Sequence, residues 1–423
     1  MGKAPGALCL AARYVFPVSS PPIADGVVVI REGRIVEVGR RSRRLAVADL
    51  GSAALLPGLT NAHVHWDLSD LDEPLGWPGI RFTDWVRLVL EHRRQRGGWS
   101  EAAVERGMGE SRRAGTTAAG EVAQAGGVAP PGGTAQFGGV AFRELIGPTA
   151  QRVQAAMAGA HEHLQCPGWS SPWRPGLCAH APYTVHPQLL TRLVALSHEK
   201  QIPLAMHVAE TRDELELLRS GTGPLRRLLE DLEAWDPDAF SRGGKPLDVL
   251  RLLVRAHRAL VIHGNYLDEE EIALAAQHKE RVAVVYCPRS HDYFGHDPYP
   301  LAQLLAAGLT VALGTDSRAS SPDLGMLGEL RHLARRGEVA PPVLLRMATL
   351  HGARALGLDR WCGTLQPGKW ADLTAVALPE TRSGDPHELL LDSQLPVVAR
   401  FFRGQRDRCG ERPAILGTGC NGW

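Results

Sequence analysis

The side chains best placed to do chemistry start with His63 and His65, which end the stretch Leu55-Leu56-Pro57-Gly58-Leu59-Thr60-Asn61-Ala62-His63-Val64-His65. In an extended strand successive side chains alternate faces, so both imidazoles project to one side and Val64 to the other. Such a strand presents two nitrogens to one metal ion. The spacing is weak evidence alone, because a chain with 17 histidines contains roughly one His-x-His by chance. His161 and His163 repeat it after the segment 151–160, whose composition favours a helix. Residues two apart on a helix face different directions. That second pair is expected to be ordinary surface histidines.

The elements that must position the first pair come from the texture of the chain between about 57 and 363. Short apolar runs alternate there with helical patterns, the signature of repeated βα units. Eight such runs are visible, at 59–65, 116–122, 138–145, 176–180, 203–210, 259–264, 282–287 and 310–315. Helical stretches lie between them, for example at 101–114, 187–200, 248–257, 269–279 and 324–336. The Gly/Pro-rich stretch 126–139 carries no periodicity and reads as a loop. Eight parallel strands close a barrel, and barrels of this type work at the C-terminal ends of their strands.

The polar residues at those ends are His63 and His65, His180, His207 and Glu210, His263, and Asp316. Five histidines and two acids converging on one rim are far less expected by chance than a lone His-x-His. His63, His65, His207 and Asp316 make a mixed nitrogen and oxygen set suited to zinc or ferrous iron, with coordination left open for water. His92, His198 and His278 fall in helical stretches and read as surface residues.

The 423 residues suit one large barrel plus a small accessory domain. The expected fold is α/β: a (β/α)8 barrel over 57–363 with a small β-sandwich domain built from both chain ends, 1–56 and 364–423. Within the first part, 26–39 reads as a hairpin turning at Glu32-Gly33. The 47 basic and 46 acidic residues nearly cancel, giving no reason to invoke nucleic acid, a membrane surface or a strongly charged partner. Seven scattered cysteines without a Cys-x-x-Cys indicate reduced thiols and a cytoplasmic setting. No run reaches the roughly eighteen apolar residues of a membrane span, and the apolar start at 6–12 reads as a first strand rather than a signal peptide.

The strings Pro57-Gly58-Leu59-Thr60-Asn61-Ala62-His63-Val64-His65, Ala205-Met206-His207-Val208-Ala209-Glu210-Thr211, Ile262-His263-Gly264 and Leu313-Gly314-Thr315-Asp316-Ser317 together resemble the amidohydrolase superfamily. Thr364-Leu365-Gln366-Pro367-Gly368-Lys369-Trp370-Ala371-Asp372-Leu373 resembles its C-terminal β-domain motif. No lysine stands near the fourth strand to be carbamylated, so the pattern is similar to the mononuclear aminohydrolases of purines and related rings. That resemblance implies one divalent ion, zinc or ferrous iron, held by His63, His65, His207 and Asp316. It implies Glu210 as proton shuttle, His263 as the group that polarises the attacking water, and His180 as a substrate contact. The segment 81–93 with Cys287-Pro288-Arg289-Ser290-His291 resembles the aminofutalosine and adenosine-type deaminase branch. His291 stands where that branch usually has asparagine, and Trp66-Asp67-Leu68 replaces a more apolar stretch.

The physical reading agrees with those roles. A divalent ion lowers the pKa of its water to about 7. Glu210, three residues beyond His207, can move a proton to a ring nitrogen, and Asp316 can deliver the next one to departing ammonia. Trp66, Trp77, Phe82 and Trp85 are candidates to stack on a flat heterocycle, with Trp85 the substrate-binding choice. Arg143 and Glu144 on the third strand are candidates to recognise a ribose or a distal carboxylate, with Arg143 preferred. The expected partners are a small heterocyclic substrate and, for a homodimer, a second copy of the chain. Three function classes stay open at this point: a deaminase of a purine-like ring, a hydrolase releasing chloride or an alkylamine from a triazine or acting on free guanine or cytosine, and a non-catalytic scaffold.

Overall fold

Among the described residues of the computed structural model, seventeen strands fall into two sheets. The structure describes residues 7–42, 47–124, 137–167, 169, 172–240, 243–381 and 384–407. Most of the Gly/Pro-rich loop, Cys409, Cys420 and the C-terminal tail lie outside them. Five strands precede the barrel: β1 Leu8–Val15, β2 Ile23–Arg31, β3 Arg34–Arg40, β4 Ala48–Asp49 and β5 Ala53–Pro57. The barrel strands are β6 Leu59–His65, β7 Thr116–Ala123, β8 Gly138–Leu145, β9 Trp173–Ala179, β10 Pro203–Val208, β11 Arg258–His263, β12 Val282–Tyr286, β13 Thr310–Leu313 and β14 Asp316–Ser317. Three follow it: β15 Leu373–Ala377, β16 Val397–Phe402 and β17 Gln405–Arg406.

The parallel sheet runs from β13 back in chain order to β6, with β14 on the far side of β6. Because β13 and β14 are one stretch of chain interrupted only at 314–315, the ninth strand closes the barrel instead of extending it. The first half of that stretch pairs with β12 and the second half with β6. The changeover falls at Gly314, whose N–H bonds the Tyr286 carbonyl at 2.9 Å, while the Thr315 N–H bonds the His63 carbonyl at 3.2 Å. A Cβ on Gly314 would sit 2.9 Å from both Cβ and O of His63, so no larger residue fits beside that histidine.

The barrel strands are near-continuous apolar runs because both of their faces are covered. Ala62, Val140, Phe142, Leu260, Ile262 and Val285 fill the interior, and Leu177, Met206, Val261 and Val311 face the helical layer. Phe142 is 1% exposed, and truncation to alanine at such a position costs about 3–5 kcal/mol.

The strands from the chain ends form one sheet in the order β17-β16-β15-β5-β1-β2-β3, with β4 beside β1. The hairpin between β2 and β3 turns with Glu32 at φ +52° and Gly33 at +74°, the left-handed pair that a two-residue turn of the primed type needs. Strand β5 lies antiparallel to β15 and runs across Gly58 directly into β6. Ala54 and Leu56 belong to the core shared with the barrel helices, whereas Leu55 belongs to the core of the terminal sheet. One strand therefore ties that sheet to the histidine-bearing strand by simple alternation.

Helix Val153–Gln165 carries the second His-x-His. His161 is exposed, but His163 is buried, its Nε2 bonding the Ala141 carbonyl at 3.1 Å and its ring packing on Trp169. The expectation of a surface residue therefore fails for His163. Two residues is just over half a helical turn, so the same spacing that sends His161 to solvent turns His163 into the barrel wall.

Candidate active site

Alternation along β6 brings His63 and His65 into the barrel mouth, with ring centroids 4.8 Å apart. His207 at the end of β10 completes a trio whose ligand nitrogens all lie within 4.8 Å of one another. Asp316 Oδ1 stands 3.5 Å from His63 Nε2 and 3.8 Å from His65 Nε2. Both ring nitrogens of His63 and Nδ1 of His65 are buried without a hydrogen-bond partner among the described residues. Orphaned buried imidazole nitrogens are costly and require an explanation. Three imidazoles and one carboxylate around one point fit a divalent ion of the zinc class. Burial lowers the pKa of His65, and that of His207 to about 3, so the rings are neutral and available as ligands at neutral pH.

The support around these groups is specific. His207 Nδ1–H donates to the His180 carbonyl at 2.6 Å, which leaves Nε2 as the lone-pair nitrogen. Asn61 holds the closing strand, donating from Nδ2 to Thr315 Oγ1 at 2.7 Å and accepting the Thr315 N–H at 3.2 Å. Ser290 and Ser320 each donate to Asp316 Oδ2 at 2.8 Å, turning Oδ1 toward the histidines. Burial opposes the Asp316 carboxylate, but the His63 ring, with Nε2 3.5 Å from Oδ1, and the other nearby imidazoles prevail and hold its carboxyl well below the usual range. Ala209, His263 and Asp316 all take left-handed φ, at +52°, +65° and +58°. Non-glycine residues in that region store strain that only well-tied surroundings maintain.

Glu210 and His263 form the second half of the site. His263 Nε2 lies 3.4 Å from Glu210 Oε1. Burial, then the Asp316 and Glu214 carboxylates, raise the Glu210 pKa well above the ordinary carboxylate range. Burial also lowers the His263 pKa. Glu214 accepts the backbone N–H groups of Ala209 and Glu210 at 2.8 and 2.9 Å, Asn265 donates to the Glu210 carbonyl at 2.9 Å, and Tyr299 donates to the His263 carbonyl at 2.8 Å. His291 reaches the site through this shell, its Nδ1 3.1 Å from Asn265 Oδ1.

A cavity of about 260 Å³ opens above these groups, lined by His65, His207, Glu210, His263 and Asp316 on its floor. His180, Trp85 and Phe82 line it as well. Burial lowers the His180 pKa to about 4, and its Nδ1 lies 2.6 Å from Thr184 Oγ1. Trp85 is fixed by donation to the Ala319 carbonyl at 2.8 Å and by the Phe82 ring at 5.7 Å. Two other aromatics do not reach the cavity: Trp66 is 1% exposed and packs on Phe137 and Trp173, and Trp77 is 62% exposed.

Arg143 is not brought to the site either. Phe142 and Glu144 point into the barrel, so Arg143 points out, where its guanidinium donates to the Gln124 carbonyl at 3.0 Å. Its neighbour Glu144 lines the cavity in its place. Also unforeseen are Leu228, Leu229 and Leu232, which form a wall of the cavity. They come from helix Pro224–Asp231 and its end, in the long β10–β11 connection. Pro224 at the first helical position and leucines at 225, 228, 229 and 232 were the available signals.

Residues 54–418 match the model of the amidohydrolase family. The chain is 32% identical to a 5-methylthioadenosine/S-adenosylhomocysteine deaminase of Moorella thermoacetica, over 91% of this chain and 89% of that one. It is 30% identical to the aminodeoxyfutalosine deaminase of Deinococcus radiodurans, over 78% and 81%. An adenosine deaminase from Xanthomonas campestris, solved with bound zinc, superposes with a TM-score of 0.76 at 26% identity, covering 94% of this chain and 92% of its own. By the extent of these matches, the chain belongs to the amidohydrolase family.

Proposed function

We propose that this protein is a mononuclear metal-dependent deaminase that replaces the 6-amino group of a purine nucleoside, of the aminofutalosine or 5-methylthioadenosine kind, with oxygen. The observation that carries the reading is the buried Glu210–His263 pair, 3.4 Å apart, beside a three-histidine cluster with orphaned nitrogens. The names of the deaminase relatives support the substrate class. His63, His65, His207 and Asp316 would hold one ion, zinc or ferrous iron. Such an ion supplies acidity, lowering the pKa of a bound water to about 7.

The chain's own residues then handle two protons. Glu210 as its carboxylate takes one from the attacking water and, as the acid that its buried surroundings favour, gives it to the ring nitrogen beside the reacting carbon. That makes the carbon electrophilic. His263 orients the water from its position against Glu210. Asp316 accepts the second proton and passes it to the amino group; the carbon–oxygen bond is made, the carbon–nitrogen bond breaks, and ammonia leaves. His180 and Trp85 seat the ring, while the apolar walls exclude bulk water. We place this chemistry in a barrel over 57–363, carried by a small β domain of 1–56 and 364–423, in the reducing cytoplasm.

Catalytic efficiencies measured side by side on 5-methylthioadenosine, aminodeoxyfutalosine, adenosine, guanine, cytosine and a chlorotriazine test the reading. A nucleoside is expected to lead, with stoichiometric ammonia. Preference for the chlorotriazine, or for a free base over every nucleoside, would overturn the substrate class.

A further inference from the structure

We propose that Glu144 is a specificity-determining residue that reads the free hydroxyls of the substrate's ribose. The inference rests on the nucleoside reading above and concerns the wall of the cavity away from the Glu210–His263 pair.

Strand β8 turns Glu144 inward, and its side chain is only 4% exposed. Gln124 Nε2 holds Oε2, and Gln124 is itself held by Arg143 through its carbonyl. Oε1 has no hydrogen-bond partner among the described residues. It lies 4.0 Å from His180 Nε2, too far for a direct bond. A vicinal pair of hydroxyls at this gap would serve both atoms, one O–H donating to Glu144 Oε1 and the other to His180 Nε2, since His180 Nδ1 and the Thr184 hydroxyl are already engaged.

Glu144 lines the cavity, and a carboxylate oxygen accepts only, so a ligand that covers Oε1 must bring O–H or N–H groups or leave it unpaired at a cost. The lining does not answer it: Phe82, Val86, Val89 and Leu228 are apolar, Arg93 is tied to Asp67 at 3.0 Å and Thr184 to His180 at 2.6 Å, and neither Arg152 nor Tyr183 bonds Glu144. In a 6-aminopurine nucleoside the amino group is committed to the reacting end and the ring nitrogens are acceptors. The vicinal ribose hydroxyls are the donors that remain. The position of Glu144 against His180, rather than over the three-histidine cluster, matches the sugar end of a ring seated by His180.

The test compares adenosine with 2′,3′-dideoxyadenosine in the parent, in Glu144→Ala and in the isosteric Glu144→Gln, which keeps the partner of Gln124 and guards against a folding failure. The parent should prefer adenosine by about ten- to a hundredfold in kcat/KM, the span of a hydrogen bond to a charged acceptor. That preference should shrink toward one in Glu144→Ala and lie between in Glu144→Gln. A parent that treats both nucleosides alike, or variants that lose both activities in equal proportion, would overturn the inference and leave the deaminase reading standing. A parent that deaminates no nucleoside at all would remove both.

Discussion

Two pairs of histidines share one spacing in this chain and meet opposite fates. His63 and His65, on a strand, turn to the same side with rings 4.8 Å apart and buried nitrogens that have no hydrogen-bond partner among the described residues. His161 and His163, on a helix, part company. One faces solvent, and the other donates to the Ala141 carbonyl and packs on Trp169. What separates a candidate ligand pair from a structural pair is the period of the element beneath it. The buried member of the helical pair is also hydrogen-bonded, whereas both ring nitrogens of His63 and Nδ1 of His65 are not, among the described residues.

The largest effect that can break this comparison is loss of a ligand. His65→Ala or Asp316→Ala should release the ion and reduce turnover to background, because a site of four protein donors has none to spare. Metal analysis at matched folding decides it, and full occupancy in either variant would mean that the ligand set is misassigned. Next in size is Glu210→Gln, expected to cost about a hundredfold or more in kcat with the ion still bound. Metal lost together with activity would make Glu210 a ligand instead.

On the helical pair the effects should fall on stability alone. His163→Leu removes a buried hydrogen bond and is expected to cost about 1–2 kcal/mol, with metal content and kcat unchanged. His161→Ala should stay within about 0.5 kcal/mol of the parent. Denaturant titrations of the two variants measure the contrast, and equal costs would erase it.

The strand beside the first pair offers a pH test. Glu121 registers with Val64, and burial, then Asp67 and Glu144, raise its pKa to about 8. The folded chain thus keeps a proton that the unfolded chain has released, so this group's contribution falls as pH rises from the ordinary carboxylate range toward 8. Glu121→Gln should remove that decline and stabilise the protein by about 1–3 kcal/mol near pH 8, with little difference near pH 4. A gain independent of pH would show that Glu121 is ionised in the folded state.

Much of this was legible in the sequence because strand-end position is a local property. The rim that gathers His63, His65, His207, Glu210, His263 and Asp316 follows from runs of apolar residues and what ends them, and β6 and β8 begin and end at the residues the pattern marks. The choice between Arg143 and Glu144 was not legible, since neighbouring strand residues face opposite ways and a one-residue difference in register exchanges them. Nor were the groups that hold the site. Asn61 meets Thr315, and Ser290 meets Asp316, across 254 and 26 residues of chain. Such contacts exist only once the barrel closes at Gly314. Trp66 and Trp85 look alike as aromatic residues after the first strand; only packing sends one beneath the helices and the other into the cavity.

The most direct measurement of the central claim removes the ion and returns it. Protein stripped by a chelator is assayed for ammonia release from 5-methylthioadenosine before and after addition of zinc or ferrous ion. Activity should vanish with the ion and return at one equivalent per chain, in the parent and not in His65→Ala. Stripped protein that deaminates as fast as the parent, or parent protein with one ion bound per chain that releases no ammonia from any 6-aminopurine nucleoside, would contradict the account.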